Sequence, residues 1–145
     1  MDKVLTAAEV PESHGLGHAQ KVLANLQKAL ESNEGLGSKM IKLTPERELA
    51  LQLGALLHDA DDKKYFPGHE AKENATKILK RALKDQSDLD LRVVKKECLE
   101  TISYVSASDN GNSIPERAKA HPELLWVRYA DRLEAIGTIG AVRCW

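Results

Sequence analysis

The segment from residue 49 to residue 62 reads Leu49-Ala50-Leu51-Gln52-Leu53-Gly54-Ala55-Leu56-Leu57-His58-Asp59-Ala60-Asp61-Asp62. Its leucines recur at the spacing of one helix face, which predicts a buried stripe formed by Leu49, Leu53, Leu56 and Leu57. His58 and Asp59 follow at the end of that stripe. Burying a polar side chain without a partner costs roughly 2–7 kcal/mol, and an imidazole beside a carboxylate suits a divalent cation. The alternative is that the helix dipole favours His58, while the aspartates cap a solvated turn.

The length and composition of the chain favour some classes of protein over others. The chain has 145 residues, 42% of them apolar, which predicts one domain with a substantial core. Its net charge of −1 argues against a nucleic-acid polymer as a partner. Cys98 and Cys144 lack metal spacing, so we interpret them as reduced thiols in a cytoplasmic protein. The sequence shows no signal peptide and no apolar run long enough to cross a membrane.

Helical periodicity extends along the chain, and nothing alternates at the period of a strand. The pattern predicts an all-α fold of about five helices, at about 16–32, 45–58, 69–83, 89–105 and 122–142. Thr44 followed by Pro45 is a typical helix start, with Thr44 as the N-cap. Residues 106–121 are predicted to form a long loop.

Four candidate metal ligands lie on three helices that must share one core: His18, His58, Asp59 and Asp131. A carboxylate in the middle of a helix beside core positions is costly unless it is paired or ligated. The alternative for Asp131 is an ion pair with Arg128 or Arg132 on a solvated face.

Three segments together resemble the HD-domain superfamily of metal-dependent phosphohydrolases, whose signature is His … His-Asp … Asp. They are Ser13-His14-Gly15-Leu16-Gly17-His18, His58-Asp59-Ala60-Asp61-Asp62-Lys63-Lys64 and Asp131-Arg132-Leu133-Glu134-Ala135-Ile136-Gly137. The chain looks most similar to the small HD hydrolases that include a nucleoside-triphosphate pyrophosphohydrolase. The resemblance spans most of the chain and implies one HD domain over residues 1–145, a helical bundle around a metal site.

The resemblance implies that His18, His58, Asp59 and Asp131 hold one divalent ion. Mn, Fe, Ni, Zn and Mg are the candidates, with Mn or Fe favoured. His14 is then expected to contact a ligand or the substrate. The rival interpretation takes His14 and His18 as an i, i+4 metal pair, and the two intervening glycines argue against it.

The same resemblance assigns roles outside the ligand set. Asp59 or Asp62 would accept a proton from the attacking water, so Asp59, Asp62 and Lys64 are the predicted catalytic residues. Lys64 and Arg132, together with His14, would bind the substrate, the two cations by neutralising phosphate oxygens. The expected activity is hydrolysis of a nucleotide or similar small phosphate ester, with a metal-activated water attacking phosphorus. The alternative is a sensor module that binds metal and nucleotide without turnover.

The sequence also departs from that family. Gly15 stands where relatives often have an acid, and Tyr104-Val105-Ser106 stands where many place a histidine. The second departure weakens any interpretation with two metal ions. Relatives usually continue beyond the position of Trp145, so a shortened domain with an incomplete substrate pocket is a further expectation. The sequence leaves the oligomeric state open.

Overall fold

The computed structural model describes residues 9–11, 14–68, 70, 72–86, 88–134 and 136, and every regular element within them is helical. The α-helices are α1 Leu16–Glu34, α2 Pro45–Leu57, α3 Glu73–Ala82, α4 Leu91–Val105, α5 Ala107–Asn110, α6 Glu116–Ala120 and α7 Trp126–Glu134. Short 3₁₀ helices occupy Gly37–Lys39 and Pro122–Leu125. The all-α prediction is confirmed, and the five longer helices are α1 to α4 and α7.

The predicted boundaries differ from the observed ones by more than two residues in three places. The predicted loop at 106–121 is wrong, because it contains α5 and α6, which have 4 and 5 residues. Helices that short complete too few turns to show a periodic pattern. Helix α3 begins at Glu73 rather than near residue 69. The last helix starts as a 3₁₀ turn, and its predicted continuation to residue 142 lies mostly outside the described residues.

The start of α2 follows the sequence closely. The Thr44 side chain accepts a hydrogen bond from the Arg47 N–H at 3.2 Å, as an N-cap does. Pro45 occupies the first helical position, where a missing N–H costs nothing. Glu46 and Glu48 in the first turn add favourable charge at the positive end of the helix dipole.

Helix α2 lies at the centre of the fold, between two apolar clusters. One cluster joins α2 to α3 and α4: Ala50, Leu57, Ala60, Ala75, Leu79, Leu83, Val94, Cys98 and Ile102. The other joins α2 to α1, α4 and α7: Val22, Leu26, Leu51, Ala55, Val105, Val127 and Ala130. Because α2 is covered on both sides, both of its faces have to be apolar.

Small residues set how closely α2 approaches its neighbours. A Cβ added at Gly54 would lie 3.2 Å from Thr101 Cγ2, which is tighter than ordinary contact. The predicted leucine stripe is therefore only partly right. Leu57 is buried, whereas Leu49, Leu53 and Leu56 are half-buried at the edge of the first cluster.

The packing order brings two helix ends and the middle of a third helix together. Helix α1 packs against both α2 and α7, so the start of α1, the end of α2 and the middle of α7 lie side by side. Cys98 is a free, buried thiol on α4, and burial raises its pKa to about 12. Cys144 lies outside the described residues. None of the described helices combines the length and the apolar character that crossing a lipid bilayer requires.

Candidate metal centre

Each of the predicted ligands sits at a defined point of the backbone. His18 is in the first turn of α1, whose N-cap is Gly15 in extended conformation. His58 is the C-cap residue of α2, and Asp59 follows it in a turn. Asp131 lies on α7. His14 precedes α1, so it is not part of a regular i, i+4 helical pair with His18.

We call the four predicted ligands, His18, His58, Asp59 and Asp131, the inner cluster. His18, His58 and Asp131 form one group of mutually close donor atoms, and Asp59 lies beside the two histidines. His18 Nε2 lies 3.1 Å from Asp131 Oδ1 and 3.2 Å from His58 Nε2. His58 Nε2 lies 3.4 Å from Asp59 Oδ2 and 3.6 Å from Asp131 Oδ1. His18 Nε2 and Asp59 Oδ2 are 3.8 Å apart.

Burial makes this convergence of polar atoms costly unless something neutralises it. The side chains of His18 and His58 are only 5% and 1% exposed, and that of Asp59 is 16% exposed. Two carboxylate oxygens and two imidazole nitrogens face one another in a space that is closed to most solvent. A shared cation or a set of shared protons is needed to balance them.

The tautomer of His58 follows from its other nitrogen. His58 Nδ1 lies 2.9 Å from the carbonyl oxygen of Ala55, which can only accept a hydrogen bond. Nδ1 therefore carries the proton and donates it, so the Nε2 lone pair of the neutral ring points into the inner cluster. Metal-ligating histidines in proteins are held in the same way.

The donor separations fit a metal ion. Donor atoms at about 2.0–2.2 Å from one ion lie roughly 3.0–3.5 Å from one another. Within the group of His18, His58 and Asp131 the donor separations are 3.1, 3.2 and 3.6 Å, which is close to that range. The buried group of His18, His58 and Asp131 could hold a metal ion, and nothing in the geometry identifies which ion.

Without a metal ion, bound protons have to offset the negative charge of the carboxylates in the inner cluster. Burial by itself would lower the pKa of His58, but the carboxylates of Asp131 and Asp59 outweigh it and raise that pKa to about 9. Burial would likewise raise the pKa of Asp131, but hydrogen bonds to His18 and His58 bring it well below its usual range. A metal ion that takes His58 Nε2 as a ligand must therefore displace a proton.

A second group of donors, the outer cluster, consists of His14, Asp59 and Asp62. His14 Nδ1 lies 3.0 Å from Asp59 Oδ2, and one donor atom from each residue lies within 4.8 Å of the others. His14 is 32% exposed and Asp62 is half-buried, so this cluster faces solvent more than the inner one does. His14 thus contacts Asp59 rather than joining the group of His18, His58 and Asp131.

Lys64 and Tyr65 lie at the solvent side of the outer cluster. The Lys64 backbone N–H donates to Asp62 Oδ1 at 2.8 Å, and its ammonium lies 5.4 Å from the centre of the Tyr65 ring. The Tyr65 ring centre is 5.6 Å from that of His14. Lys64 is exposed, so its charge is available to a ligand that approaches from solvent.

Asp61 is a residue whose role the sequence did not reveal. Its two carboxylate oxygens accept the N–H groups of Asn74 at 2.7 Å and of Ala75 at 2.8 Å. Asp61 therefore caps the start of α3 from a distance, while its neighbours Asp59 and Asp62 face the donor clusters. Only the fold shows which aspartate does which, because the capped amides lie more than ten positions along the chain.

The alternative expected for Asp131, an ion pair with an arginine on a solvated face, is wrong. Arg128 is 1% exposed and donates to the carbonyl oxygens of Tyr104 and of Ser113, the latter at 2.7 Å. Arg132 donates to the carbonyl of Gly111 and to Asn112 Oδ1 at 3.0 Å. Both guanidinium groups therefore hold the segment between α5 and α6.

An ionic network that the sequence did not predict links α2, α4 and the segment before α7. Arg47 contacts both oxygens of Glu97, at 3.0 and 2.6 Å, and Glu123 Oε1 at 2.5 Å. Arg117 donates to Glu97 Oε1 at 3.0 Å and to Glu100. Partners 50 or more positions apart leave no periodic signal that could have found them.

Comparisons with known proteins leave the function open. No protein-family model matches the chain, and no solved structure matches it. The chain is similar to an uncharacterized protein of Acanthamoeba polyphaga mimivirus, with 36% identity over 113 residues. The aligned region covers 73% of this chain and 44% of that relative, so the chain spans less than half the relative's length.

Proposed function

We propose that the protein is an HD-type, metal-dependent phosphohydrolase that acts on a nucleotide or related small phosphate ester. The observation that supports this most directly is the convergence of His18 Nε2, His58 Nε2, Asp59 Oδ2 and Asp131 Oδ1 within 3.1 to 3.8 Å in the measured pairs. These are also the four positions at which the sequence resembles the ligands of the HD-domain superfamily.

The four residues would hold one divalent ion, with Mn or Fe favoured. When bound, such an ion supplies Lewis acidity toward a phosphate oxygen and lowers the pKa of a coordinated water. The protein keeps His18 and His58 almost entirely buried, so the ligands are held rigidly and water is excluded from one side of the site.

The remaining roles belong to residues at the mouth of the site. Asp59 has a second carboxylate oxygen, and we assign it as the acceptor for the proton that the attacking water loses. His14 fixes the orientation of Asp59 through its Nδ1. Lys64 is exposed beside the outer cluster and supplies positive charge toward a phosphate group.

In this proposal Arg132 has a smaller role in phosphate binding than the sequence suggested. Its guanidinium donates to Gly111 and Asn112, so it contributes to phosphate binding only if those contacts are exchanged for a ligand. Lys64 is therefore the preferred contact for phosphate.

The test is a hydrolysis screen of nucleoside and deoxynucleoside triphosphates with Mn²⁺, run beside Asp59→Asn, with products resolved by phosphorus NMR. Pyrophosphate or orthophosphate released by the wild type alone supports the proposal and identifies the bond that breaks. Asp85→Asn, which changes an exposed carboxylate outside both clusters, should retain full activity.

Two other outcomes would change the assignment. No turnover with metal still bound would favour the sensor module. Equal turnover in Asp59→Asn would show that the hydrolysis does not come from this site.

A further inference from the structure

We propose that Arg128 and Arg132 of α7 bind a phosphate group at a site of their own, outside the inner and outer clusters and next to residues 111–113. Binding at this site does not require a metal ion, so the inference goes beyond the proposed function. It gives a role to Arg128, a buried arginine that the metal centre does not use.

The first argument is that Arg128 is buried without a negative partner. The residue is 1% exposed, and its Nε and Nη1 donate to the carbonyl oxygens of Tyr104 and Ser113. Its Nη2 has no hydrogen-bond acceptor, and no carboxylate among the residues that the structure describes pairs with this guanidinium. Burying a cation without a counter-charge is costly, so this position favours a bound anion.

Arg47 shows how the same fold neutralises an arginine whose role is structural. Its side chain is 15% exposed and forms ion pairs with the buried carboxylates of Glu97 and Glu123. Arg128 is buried more deeply, yet its acceptors are neutral carbonyl groups. We therefore expect the counter-charge of Arg128 to come from a ligand.

The second argument is a second arginine one helical turn later. Arg132 lies four residues after Arg128, so the two side chains share one face of α7. Arg132 donates to the carbonyl of Gly111 and to Asn112 Oδ1, which are again neutral acceptors. Burial and then the nearby charge of Arg132 lower the pKa of Arg128. An anion that contacts both guanidinium groups would relieve their repulsion.

The donors favour phosphate among the common anions. Each guanidinium is a planar fork that can hydrogen-bond two oxygens of one anion. Two forks on neighbouring turns can contact more oxygens than a carboxylate offers, whereas a phosphate group has at least three. A phosphomonoester also carries a charge of about −1.5 to −2 at neutral pH, which matches two arginines.

A phosphate group could reach both arginines by replacing residues 111–113. These residues are exposed, and they contact the two guanidinium groups through two carbonyl oxygens and one side-chain amide oxygen. Gly111 has a φ of +53°, a backbone conformation that favours glycine. The preceding Asn110 side chain donates to the carbonyls of Ser103 and Ser106, so movement about Gly111 would leave α5 anchored.

The site lies near the metal centre but on a different face of α7. Asp131 Oδ1 is 3.1 Å from His18 Nε2, whereas Arg128 and Arg132 contact the chain between Tyr104 and Ser113. A phosphate group held by the arginines is therefore separate from the atoms that could ligate a metal ion.

The experiment is isothermal calorimetry of the metal-free full chain, with inorganic phosphate in one arm and adenosine monophosphate in the other. We expect one phosphate group per chain and roughly tenfold weaker binding in Arg128→Gln and in Arg132→Gln, because each variant loses charge-assisted hydrogen bonds. Arg132→Gln disturbs the fold less, since Arg132 is half-buried and glutamine can still donate to Gly111. Arg92→Gln is the matched control, because the Arg92 side chain is 94% exposed, and it should bind as the wild type does.

The two arms distinguish the source of the phosphate group. Binding of inorganic phosphate that weakens in Arg132→Gln supports a site for the free anion. Binding of adenosine monophosphate alone, again weakened in Arg132→Gln, supports a site for a phosphate group carried by a nucleotide. No binding in either arm, or equal affinity in the wild type and Arg132→Gln, would overturn the site. Because the protein is metal-free throughout, either result leaves the proposed function to its own test.

Discussion

The Nδ1 atom of His58 donates a hydrogen bond to the carbonyl oxygen of Ala55, one helical turn earlier, at 2.9 Å. Because this carbonyl oxygen in the last turn of α2 can only accept a hydrogen bond, the contact keeps a proton on Nδ1 of the buried His58 ring. It also ties the Nε2 atom of the ring, a candidate metal ligand, to a helix that packs at the centre of the fold. The metal centre and the stability of the domain should therefore be coupled.

The first prediction concerns that coupling. Mn²⁺ should raise the melting temperature of the wild type, because a ligand that binds only the folded state stabilises it by about 2.7 kcal/mol at one hundred times its Kd. In His58→Gln the shift should disappear, since the inner cluster loses a buried ligand. Scanning fluorimetry of both proteins, with and without Mn²⁺, measures this shift in melting temperature. Asp85→Asn, which changes an exposed carboxylate outside both clusters, is the control, and an undiminished shift in His58→Gln would remove His58 from the ligand set.

The second prediction concerns pH in the presence of a chelator. The pKa of His58 is raised to about 9 in the folded protein, above its ordinary value of about 6.5. The resulting stabilisation is complete below about pH 6.5 and is lost as the pH rises through about 9. Over this window the free energy of unfolding should fall by about 3 kcal/mol.

Urea unfolding of the chelated protein at about pH 6 and about pH 9 measures this slope. His58→Gln should flatten it, whereas Asp85→Asn, at an exposed position, should not. If the free energy of unfolding changed equally with pH in the wild type and in His58→Gln, groups other than His58 would cause the pH dependence.

Local signals predicted much of this architecture, because they act within a few residues. Thr44 and Pro45 marked the start of α2 correctly, and apolar periodicity located the five longer helices. The same logic failed at the leucines of α2. Periodicity shows which residues are apolar, but only the packing of α2 against its neighbours shows that Ala50, Leu51 and Ala55 are buried in place of most of the predicted leucines.

The candidate site and its surroundings also contain some residues that the sequence predicted and others that it did not. His18, His58, Asp59 and Asp131 could be proposed from the sequence because their order resembles a known motif, and the structure brings them together. The cap formed by Asp61 and the partners of Arg47 have no such motif. Their contacts depend on how helices pack across many residues, which a single sequence does not encode locally.

The third prediction contrasts two aspartates of one turn. Asp61→Ala should lower the free energy of unfolding by about 1–2 kcal/mol, because two amides at the start of α3 lose their acceptor. Asp59→Asn should cost less stability in the metal-free protein but should weaken Mn²⁺ binding. Urea unfolding with chelator and a Mn²⁺ titration on both variants separate the two effects. A loss of metal affinity in Asp61→Ala that equals the loss in Asp59→Asn would contradict these separate roles.

The last prediction concerns Arg47, whose side chain is 15% exposed and lies between carboxylates that are 8% and 4% exposed, those of Glu97 and Glu123. Arg47→Met should destabilise the protein by about 3–5 kcal/mol, because it removes the cation shared by two buried carboxylates and leaves Glu97 with Arg117 alone. Adding Glu97→Gln to this variant should recover part of the loss, since one uncompensated charge is removed.

At acidic pH, the difference in the free energy of unfolding between Arg47→Met and the wild type should become smaller. The hydrogen bond from Arg47 is the main reason that the pKa of Glu97 lies below its usual value, so in the wild type this stabilisation is present at neutral pH and declines as the pH falls. In Arg47→Met, the pKa of Glu97 loses the contact that lowers it most, while burial still raises it, so protonation at acidic pH relieves part of the penalty. Urea unfolding at about pH 7 and about pH 5 tests both statements. A cost below about 1 kcal/mol at neutral pH would mean that the pair is no stronger than a surface ion pair.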